Sequence, residues 1–263
     1  MARQFAFATL LFVMCSSIVF GADPWIGKEV FWKSGAKAKV NGSQITIQTI
    51  PFPAVVGKVD GDWLWLDKAW VHKYDVFLPE EAIGYWSDQI RKNPGAAQSW
   101  NNRGSMWKDR GQLNKAIKDL TEAVRLDPTF VSAYVNRGNV WHEKGDFDNA
   151  LKDYFKAIKL DPSNPNAYDA AAWLTATCPE SAFRDGSRAV TNATSACILS
   201  AWADWSNIDT LAAAYAELGD FNSATKWQEK AIELATDESD KEDMKFRLEL
   251  FKQGKPYRDT LQD

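Results

Sequence analysis

The chain has 263 residues, a formal net charge of −4 at pH 7, and 25% charged residues. Without its first 21 residues, considered next, it is still long enough for two domains. The small negative charge comes without a long basic run, which argues against nucleic acid as a partner.

Residues 1–21 have the pattern of a secretory signal. Arg3 gives a positive start, residues 5–20 form an apolar run, and Gly21 offers a small residue for cleavage. The run is short for a membrane span, which needs about 20 apolar residues. The sequence therefore predicts a cleaved signal and an exported protein, periplasmic or secreted. The alternative is an uncleaved anchor at residues 5–20, and only then would a membrane be a partner.

Residues 23–78 carry the signals of several short strands. Residues 45–50 alternate between apolar and polar side chains, as a half-buried strand does. Two apolar runs, residues 55–59 and 63–66, flank Asp60-Gly61, a strong signal for a hairpin turn. Residues 70–72 predict another strand. Short strands with tight turns predict a small antiparallel β-barrel.

The end of this segment resembles a known family. Residues 58–65 (KVDGDWLW) and 69–76 (AWVHKYDV) resemble the last strands of bacterial SH3-like domains. The resemblance implies a binding module of exported proteins, some of which bind cell-wall material. Trp63 and Trp65 fall on one face of their strand, because side chains two residues apart point to the same side. We expect that face to pack in the barrel core; the alternative is an exposed ligand face.

Residues 97–130 and 131–164 align without a gap at a spacing of 34 residues. A repeat of this length is one helix–turn–helix unit, which must stack on its neighbours because it cannot bury its apolar face alone. The positions that the copies share are Asn102/Asn136, Arg103/Arg137, Gly104/Gly138, Trp107/Trp141, Gly111/Gly145, Ala116/Ala150, Lys118/Lys152, Asp119/Asp153 and Ala123/Ala157, and the run Leu-Asp-Pro at 126–128 and 160–162.

Each copy carries the signals of two packed helices and a turn. Gly138 predicts a close approach of a neighbouring helix, since glycine otherwise costs a helix interior about 1 kcal/mol relative to alanine. Gly145 predicts a turn with positive φ, and Asp146 can cap the second helix. Pro162 ends that helix, because proline cannot continue a helix interior.

The succession of aromatic residue, glycine, aromatic residue, two alanines and proline closely resembles the tetratricopeptide repeat. The resemblance implies an α-helical solenoid of about four helical hairpins plus caps, preceded by the barrel. The predicted divisions are a half-repeat helix (79–96), repeats at 97–130 and 131–164, a unit with a longer turn (165–204), a fourth repeat (205–237), and a capping helix with a tail (238–263). We expect Met244, Leu248 and Phe251 on one face of the capping helix.

In this family, the first helix of each hairpin lines a groove that binds protein segments. The resemblance carries this role to Gln98, Asn101, Asn102, Ser105, Lys108 and Asp109 in the first copy, and to Ser132, Val135, Asn136, Asn139, His142 and Glu143 in the second. An asparagine amide can pair with an extended backbone through both donor and acceptor. The alternative is that these asparagines satisfy neighbouring helix ends. The third unit offers Asn166, Asp169 and Trp173 where chaperone-binding members have basic residues.

The sequence contains no recognisable catalytic, cofactor or metal motif. His142 is expected to be a polar groove residue, and His72 a structural residue of the barrel. Cys178 and Cys197 are expected to be buried thiols. They lie about 15 Å apart along the predicted helix, whereas a disulfide tolerates about 7 Å between Cα atoms.

Carboxylates such as Asp119 and Asp153 recur with the repeat, and the periodicity predicts solvated faces and caps. The sequence thus predicts a non-catalytic scaffold, without a cofactor, that binds a protein or peptide segment in the groove. Three alternatives stay open: a cell-envelope protein that binds peptidoglycan or another polysaccharide through the barrel, an enzyme with Cys178 as nucleophile, and self-assembly through the solenoid ends.

Overall fold

The computed structural model describes residues 26–33, 37–40, 43–46, 54–66 and 69–260. The predicted signal at 1–21, the alternative anchor at 5–20 and the predicted strand residues 47–50 lie outside the described residues. The chain divides into two units, residues 1–81 and 82–263, and each is described by itself.

Short antiparallel strands build the first unit. They are β1 (Glu29–Trp32), β2 (Lys37–Val40), β3 (Ser43–Thr46), β4 (Ala54–Val55), β5 (Lys58–Asp60), β6 (Trp63–Leu66), β7 (Ala69–His72) and β8 (Val76–Phe77). One sheet has the order β4-β1-β8 and the other the order β3-β2-β7-β6-β5. The predicted hairpin is confirmed, since Asp60 pairs with Trp63 and Gly61 has a φ of 55°.

The chain passes from one sheet to the other at residues 56–57. The Val56 N–H donates to the Lys28 carbonyl (2.9 Å), next to β1. The Gly57 N–H donates instead to the Trp65 carbonyl (3.0 Å), in β6. The apolar run 55–59 is therefore divided between β4 and β5, because consecutive residues have partners in different sheets.

The apolar core of this unit uses alternate residues of β6 and β7. Leu64, Leu66 and Val71 are fully buried, whereas Trp63 and Trp65 are only partly buried. The expectation that the two tryptophans pack in the core is wrong, although they do share one face. The leucines at the intervening positions fill the interior, so the tryptophan face points outward.

Ten α-helices make up the described part of the second unit. They are α1 (Ala82–Lys92), α2 (Ala97–Asp109), α3 (Leu113–Leu126), α4 (Val131–Glu143), α5 (Phe147–Leu160), α6 (Pro165–Thr177), α7 (Gly186–Leu199), α8 (Trp205–Leu218), α9 (Phe221–Leu234) and α10 (Glu238–Lys252). Helices α2–α9 pack in consecutive pairs as four hairpins, and α1 and α10 pack at the two ends. This is the solenoid that the sequence predicts.

Glycine allows the two helices of a hairpin to approach closely. A Cβ on Gly138 would lie 2.5 Å from Cε1 of Tyr154, and a Cβ on Gly104 would lie 2.7 Å from Cγ of Leu120. Tyr154 and Leu120 are both buried, at 1% and 0% exposure. The repeated glycine and its large partner thus form one packing unit, and the close approach predicted at Gly138 is confirmed.

The turn between α4 and α5 also forms as predicted. Gly145 has a φ of 80°, a conformation that glycine adopts without strain. The Asp146 side chain then accepts a hydrogen bond from the Asn149 N–H (3.2 Å) and caps α5. The turn chemistry therefore sets the boundary between the two helices.

Helix α10 closes the second unit. Met244, Leu248 and Phe251 are its buried residues, as the sequence predicts. Its other residues are mostly charged, which suits a solenoid end that must stay soluble, although Phe246 is exposed among them. Within the described residues, no helix is both long enough and apolar enough to cross a membrane.

The recurring aspartates Asp119 and Asp153 are buried, so the expectation of solvated carboxylates is wrong for them. Each accepts two hydrogen bonds from the arginine 16 residues earlier, Arg103 at 2.6 and 2.9 Å and Arg137 at 2.7 and 2.7 Å. Such bidentate pairs are among the strongest hydrogen-bonded contacts in proteins. They join the first and second helices of the α2–α3 and α4–α5 hairpins.

Candidate binding groove

The first helices of successive hairpins lie side by side, with α4 next to α2 and to α6, and α6 next to α8. Two adjoining cavities open on this surface, and we call them the groove. The first, of about 420 Å³, is lined by Lys108, Asn139, His142, Glu143, Trp173, Asp259 and Thr260. The second, of about 360 Å³, is lined by Val135, Asn136, Asn139, His142, Tyr154, Asn166, Asp169, Ala170, Trp173, Ser206 and Asn207.

The predicted groove residues divide into two sets. Six of the twelve line the cavities, namely Lys108, Val135, Asn136, Asn139, His142 and Glu143. The six that line neither of these cavities are Gln98, Asn101, Asn102, Ser105, Asp109 and Ser132. The structure thus brings the predicted groove residues of α4 together with Lys108 at the end of α2.

The amides at the start of α2 bond to one another. Asn102 Oδ1 accepts from Gln98 Nε2 (2.8 Å) and from Asn101 Nδ2 (3.1 Å). Asn136 Nδ2 donates to Asn101 Oδ1 (2.9 Å), which joins α4 to α2. These bonds run between side chains and not to helix ends, in contrast to the alternative considered from the sequence.

Asn139 is held in position at the junction of the two cavities. The Tyr154 hydroxyl donates to Asn139 Oδ1 (2.9 Å), and burial raises the pKa of this tyrosine. The hydroxyl is therefore a fixed donor at any ordinary pH. With its oxygen occupied in this way, the Asn139 amide has its N–H₂ group to offer to a ligand.

Asp169 is the most perturbed acid of the groove. Burial raises the pKa of its carboxyl group to about 7, a hydrogen bond from Thr210 opposes this shift, and the negative charges of Asp204 and Asp209 add to it. Its Oδ1 atom is buried and has no hydrogen-bond partner among the described residues. The second cavity therefore contains an acceptor that a ligand N–H could satisfy.

His142 lines both cavities and is mostly enclosed. Its ring lies 5.7 Å from that of Phe147, and Nε2 lies 3.5 Å from Asp259 Oδ2. Burial lowers the pKa of His142, and the charge of Asp259 opposes this effect. The imidazole is thus neutral near pH 7 and acts as a polar surface of the groove.

Part of the groove wall comes from the end of the chain, residues 255–260, which we call the C-terminal segment. The Trp173 indole donates to Asp259 Oδ2 (3.1 Å), and the Asp259 N–H donates to the Thr177 carbonyl (2.8 Å). The Tyr257 ring lies 5.8 Å from that of Trp173. These contacts fix the segment against α6.

Charged residues enclose the same segment. Arg258 pairs with Glu217 on α8 at 2.6 Å, and Glu217 also accepts from Arg184 Nε at 3.1 Å. Arg247 on α10 donates to both carboxylate oxygens of Asp209, at 3.1 and 2.9 Å. Its guanidinium lies over the Trp173 and Tyr257 rings, at 5.6 and 5.5 Å.

The sequence did not assign this segment to the groove. Gly254, with a φ of 69°, and Pro256 mark the end of α10, and this signal is present in the sequence. The sequence carries no signal for the return of the chain to α6, because the contacts that hold it there join residues more than 80 positions apart. The sequence places Asp169 and Trp173 in the third unit, but spacing does not reveal that Asp169 Oδ1 is buried.

The two cysteines of the helical unit are buried and unpaired, as predicted. Burial raises the pKa of Cys178, and burial raises the pKa of Cys197 to about 12. Such thiols remain protonated and are poor nucleophiles. Over the described residues, no group of three or more His, Cys, Asp or Glu residues could hold a metal ion.

The outward face of β6 and β7 carries a second feature, a row of aromatic side chains. Trp63 pairs with His72 (ring centroids 5.1 Å apart) and Trp65 with Trp70 (5.3 Å) across the strands. The Lys39 ammonium lies 3.9 Å from the centre of the Trp63 ring. We call these residues the aromatic face.

The stacked hairpins with a polar groove define a helical-repeat protein of the solenoid class. Models of the tetratricopeptide repeat match residues 131–164 and 208–237, and a model of the TPR repeat matches residues 104–145. The chain therefore carries tetratricopeptide repeats over these residues. No curated protein gives a significant match over the sequence.

Solved structures share the fold. A thermophilic TPR protein of Thermus thermophilus has a TM-score of 0.53 at 16% identity, over 66% of this chain and 91% of that one. The APC/C hetero-tetramer Cut9–Hcn1 gives 0.58 at 16% identity, over 66% of this chain but 33% of that one. MamA from Desulfovibrio magneticus RS-1 gives 0.50 at 17% identity, over 59% and 85%. The repeats and this fold support a protein–protein interaction scaffold.

Proposed function

We propose that the protein is a non-catalytic scaffold of an exported compartment and that it binds an extended segment of a partner protein in the groove. The observation that carries the proposal is the pair of adjoining cavities along α4 and α6. Their lining is mostly polar, with an indole between them. Export rests on the signal pattern of residues 1–21.

The groove offers the hydrogen-bonding groups that an extended backbone needs. Asn136 and Asn139 supply amides, and Asp169 supplies a buried acceptor with no partner of its own. A backbone N–H or a basic side chain of the partner would satisfy that acceptor, because an unpaired buried acceptor is costly. Trp173 offers an aromatic surface for an apolar anchor.

The chemistry of the groove favours binding over catalysis. His142 is enclosed and has a lowered pKa, and the thiol of Cys178 is buried with a raised pKa. A lowered pKa makes His142 a weak base for taking a proton from a substrate. A thiol nucleophile needs its thiolate, and burial of Cys178 disfavours that form.

The test is affinity capture from extracts of the cells that produce the protein, followed by calorimetry with the captured partner. One variant combines Asn136→Ala and Asn139→Ala, which removes the amides. A second combines Lys108→Glu and Glu143→Lys, which reverses charges at the partly or fully exposed rim. Lys118→Ala, exposed on α3, is the control.

We expect both groove variants to lose at least tenfold in affinity for one partner, while the control binds as the parent does. Circular dichroism and the unfolding midpoint show whether each variant is folded. A partner that binds a folded charge-reversal variant and a folded amide variant as well as the parent would refute groove binding.

The aromatic face supports a second candidate, binding of peptidoglycan or another polysaccharide. Trp63, Trp65 and Trp70 are partly exposed there, and flat aromatic rings are suitable surfaces for sugar rings. The test is sedimentation with purified cell wall, with Trp63→Ala plus Trp65→Ala as the variant and Val55→Thr, exposed on β4, as the control. Loss of binding in the tryptophan variant alone is expected; no wall binding by the parent would remove this candidate.

A further inference from the structure

The C-terminal segment lies across three successive first helices. It contacts His142 on α4, Trp173 on α6 and Glu217 on α8. The Lys255 N–H donates to the Leu250 carbonyl (3.0 Å) at the end of α10, and residues 256–260 belong to neither a helix nor a strand. This is the path that a bound peptide would take across the first helices of a repeat array.

The backbone of the segment bonds to the end of α6. The last carbonyls of a helix have no partner within it. Here the Thr177 carbonyl accepts from the Asp259 N–H (2.8 Å), and the Ala176 carbonyl accepts from a guanidinium nitrogen of Arg258 (3.5 Å). A positive side chain at a helix C-terminus is also favoured by the helix dipole.

Three consecutive side chains of the segment each make a different kind of contact with the first helices. Tyr257 packs beside the Trp173 ring, Arg258 pairs with Glu217, and Asp259 accepts from the Trp173 indole. Tyr257 is partly buried, and burial raises the pKa of its hydroxyl group. The segment therefore uses one aromatic, one basic and one acidic residue in succession.

We propose that the C-terminal segment is an internal ligand of the groove, and that the partner segment carries the same chemistry and displaces it. The partner chemistry is an extended run of an aromatic, a basic and an acidic residue. The proposal rests on groove binding as the function. It adds the chemical class of the ligand and a competition between the C-terminal segment and the partner.

The competition follows from the position of the segment. Asp259 and Thr260 form part of the lining of the first cavity, next to Asn139 and His142. A segment tethered by a short link has an effective concentration on the order of millimolar. A partner that only reproduced its three contacts would compete poorly, so it must also reach Asp169 in the second cavity.

The test uses a fluorescein-labelled peptide with the sequence of residues 252–260, KQGKPYRDT, and measures its polarisation with the full chain. The test variant combines Tyr257→Ala, Arg258→Ala and Asp259→Ala, which leaves the groove unoccupied. Lys255→Ala is the control, because this residue is exposed and its ammonium donates a hydrogen bond to the nearby Gln253 side chain (3.2 Å).

We expect the triple variant to bind the peptide at least tenfold more tightly than the parent and the control do. A folded triple variant that binds no more tightly than the parent would overturn the proposal. This outcome is independent of groove binding itself, because the assay contains no partner. Binding of the captured partner should also tighten in the triple variant, and unchanged partner affinity would refute the displacement.

Amide hydrogen exchange gives a second measurement on the unaltered chain. The Asp259 N–H is bonded to Thr177, so it should exchange at least tenfold more slowly than the same amide in the free peptide. Equal rates would show that the segment does not lie in the groove. A dimer that the triple variant abolishes would also overturn the proposal, by assigning the segment to a second copy of the chain.

Discussion

Arginine–aspartate pairs recur in the helical unit, and each pair joins two of its helices. Arg103 and Arg137 each donate two hydrogen bonds to a buried aspartate and lie over an aromatic ring, Trp100 at 5.0 Å and Tyr134 at 5.6 Å. Asp209 and Arg247 form a third bidentate pair between α8 and α10. Guanidinium groups suit both roles, because they are planar and offer paired donors.

Removing one partner of such a pair should cost much more than removing a surface charge. We expect Asp153→Ala to lower the free energy of unfolding by about 3 kcal/mol, because it leaves Arg137 enclosed and unpaired. Combining it with Arg137→Met should recover part of this loss. Urea unfolding measures both. Asp148→Ala, in an exposed pair of the same helix, is the control and should leave the midpoint unchanged. A loss no larger than in this control would contradict the buried pair.

Asp169 should make stability depend on pH. Burial raises the pKa of its carboxyl group from 3.8 to about 7, so between these values the folded state binds more protons than the unfolded state. Its contribution to stability is complete below pH 3.8 and is lost as the pH rises toward 7. We expect Asp169→Asn to raise the free energy of unfolding by about 1–3 kcal/mol at pH 8 and by much less at pH 4. A difference in the free energy of unfolding between variant and parent that does not change with pH would contradict the raised pKa of Asp169.

The thiols should be unreactive in the folded protein. Both are buried, and burial raises the pKa of Cys197 to about 12. In the chain that begins at residue 22, we expect a disulfide reagent at pH 8 to react with Cys178 and Cys197 at least 100-fold more slowly than with free cysteine. After denaturation both should react at once. Fast reaction of either thiol in the native protein would restore the cysteine-nucleophile alternative.

At the scale of elements, the glycine of the first helix sets the distance between the two helices of a hairpin. We expect Gly138→Ala to destabilise the protein by about 1–3 kcal/mol, because its Cβ would lie 2.5 Å from the buried Tyr154 ring. Gly84→Ala in α1 is the control, since nothing lies within 4 Å of its Cβ. It should stabilise by up to about 1 kcal/mol, and thermal unfolding separates the two outcomes. Equal effects of both would contradict the close packing.

The helices could be predicted because their signals are local. Glycine, alanine and aromatic residues recur at fixed positions, and Gly145 with Asp146 marks a turn within a few residues. The strands were harder. An alternating pattern shows which residues share a face but not which face is buried, and so the placement of Trp63 and Trp65 in the core was wrong. The break between β4 and β5 depends on partners in two sheets, which no local pattern records.

At the scale of the whole molecule, the part of the groove on α4 and at the end of α2 was predicted, and the part from α8 and the C-terminal segment was not. Asn139 and His142 follow from their positions in the repeat, whereas Asp259 reaches the groove from the other end of the helical unit. The burial of Asp119 was also missed, since the recurrence of a carboxylate does not by itself show which residue it pairs with. The pairing had a signal nonetheless, because an arginine 16 residues earlier recurs with it in both copies.

The groove is the central claim, and site-specific photo-crosslinking tests it most directly. Benzoylphenylalanine is placed at Glu143, which is exposed and lines the first cavity, or at Lys118, which is exposed on the second helix of the first hairpin. With the captured partner present, we predict an adduct from position 143 and none from position 118. An adduct from position 118 alone, or equal adducts from both, would contradict the groove as the binding site.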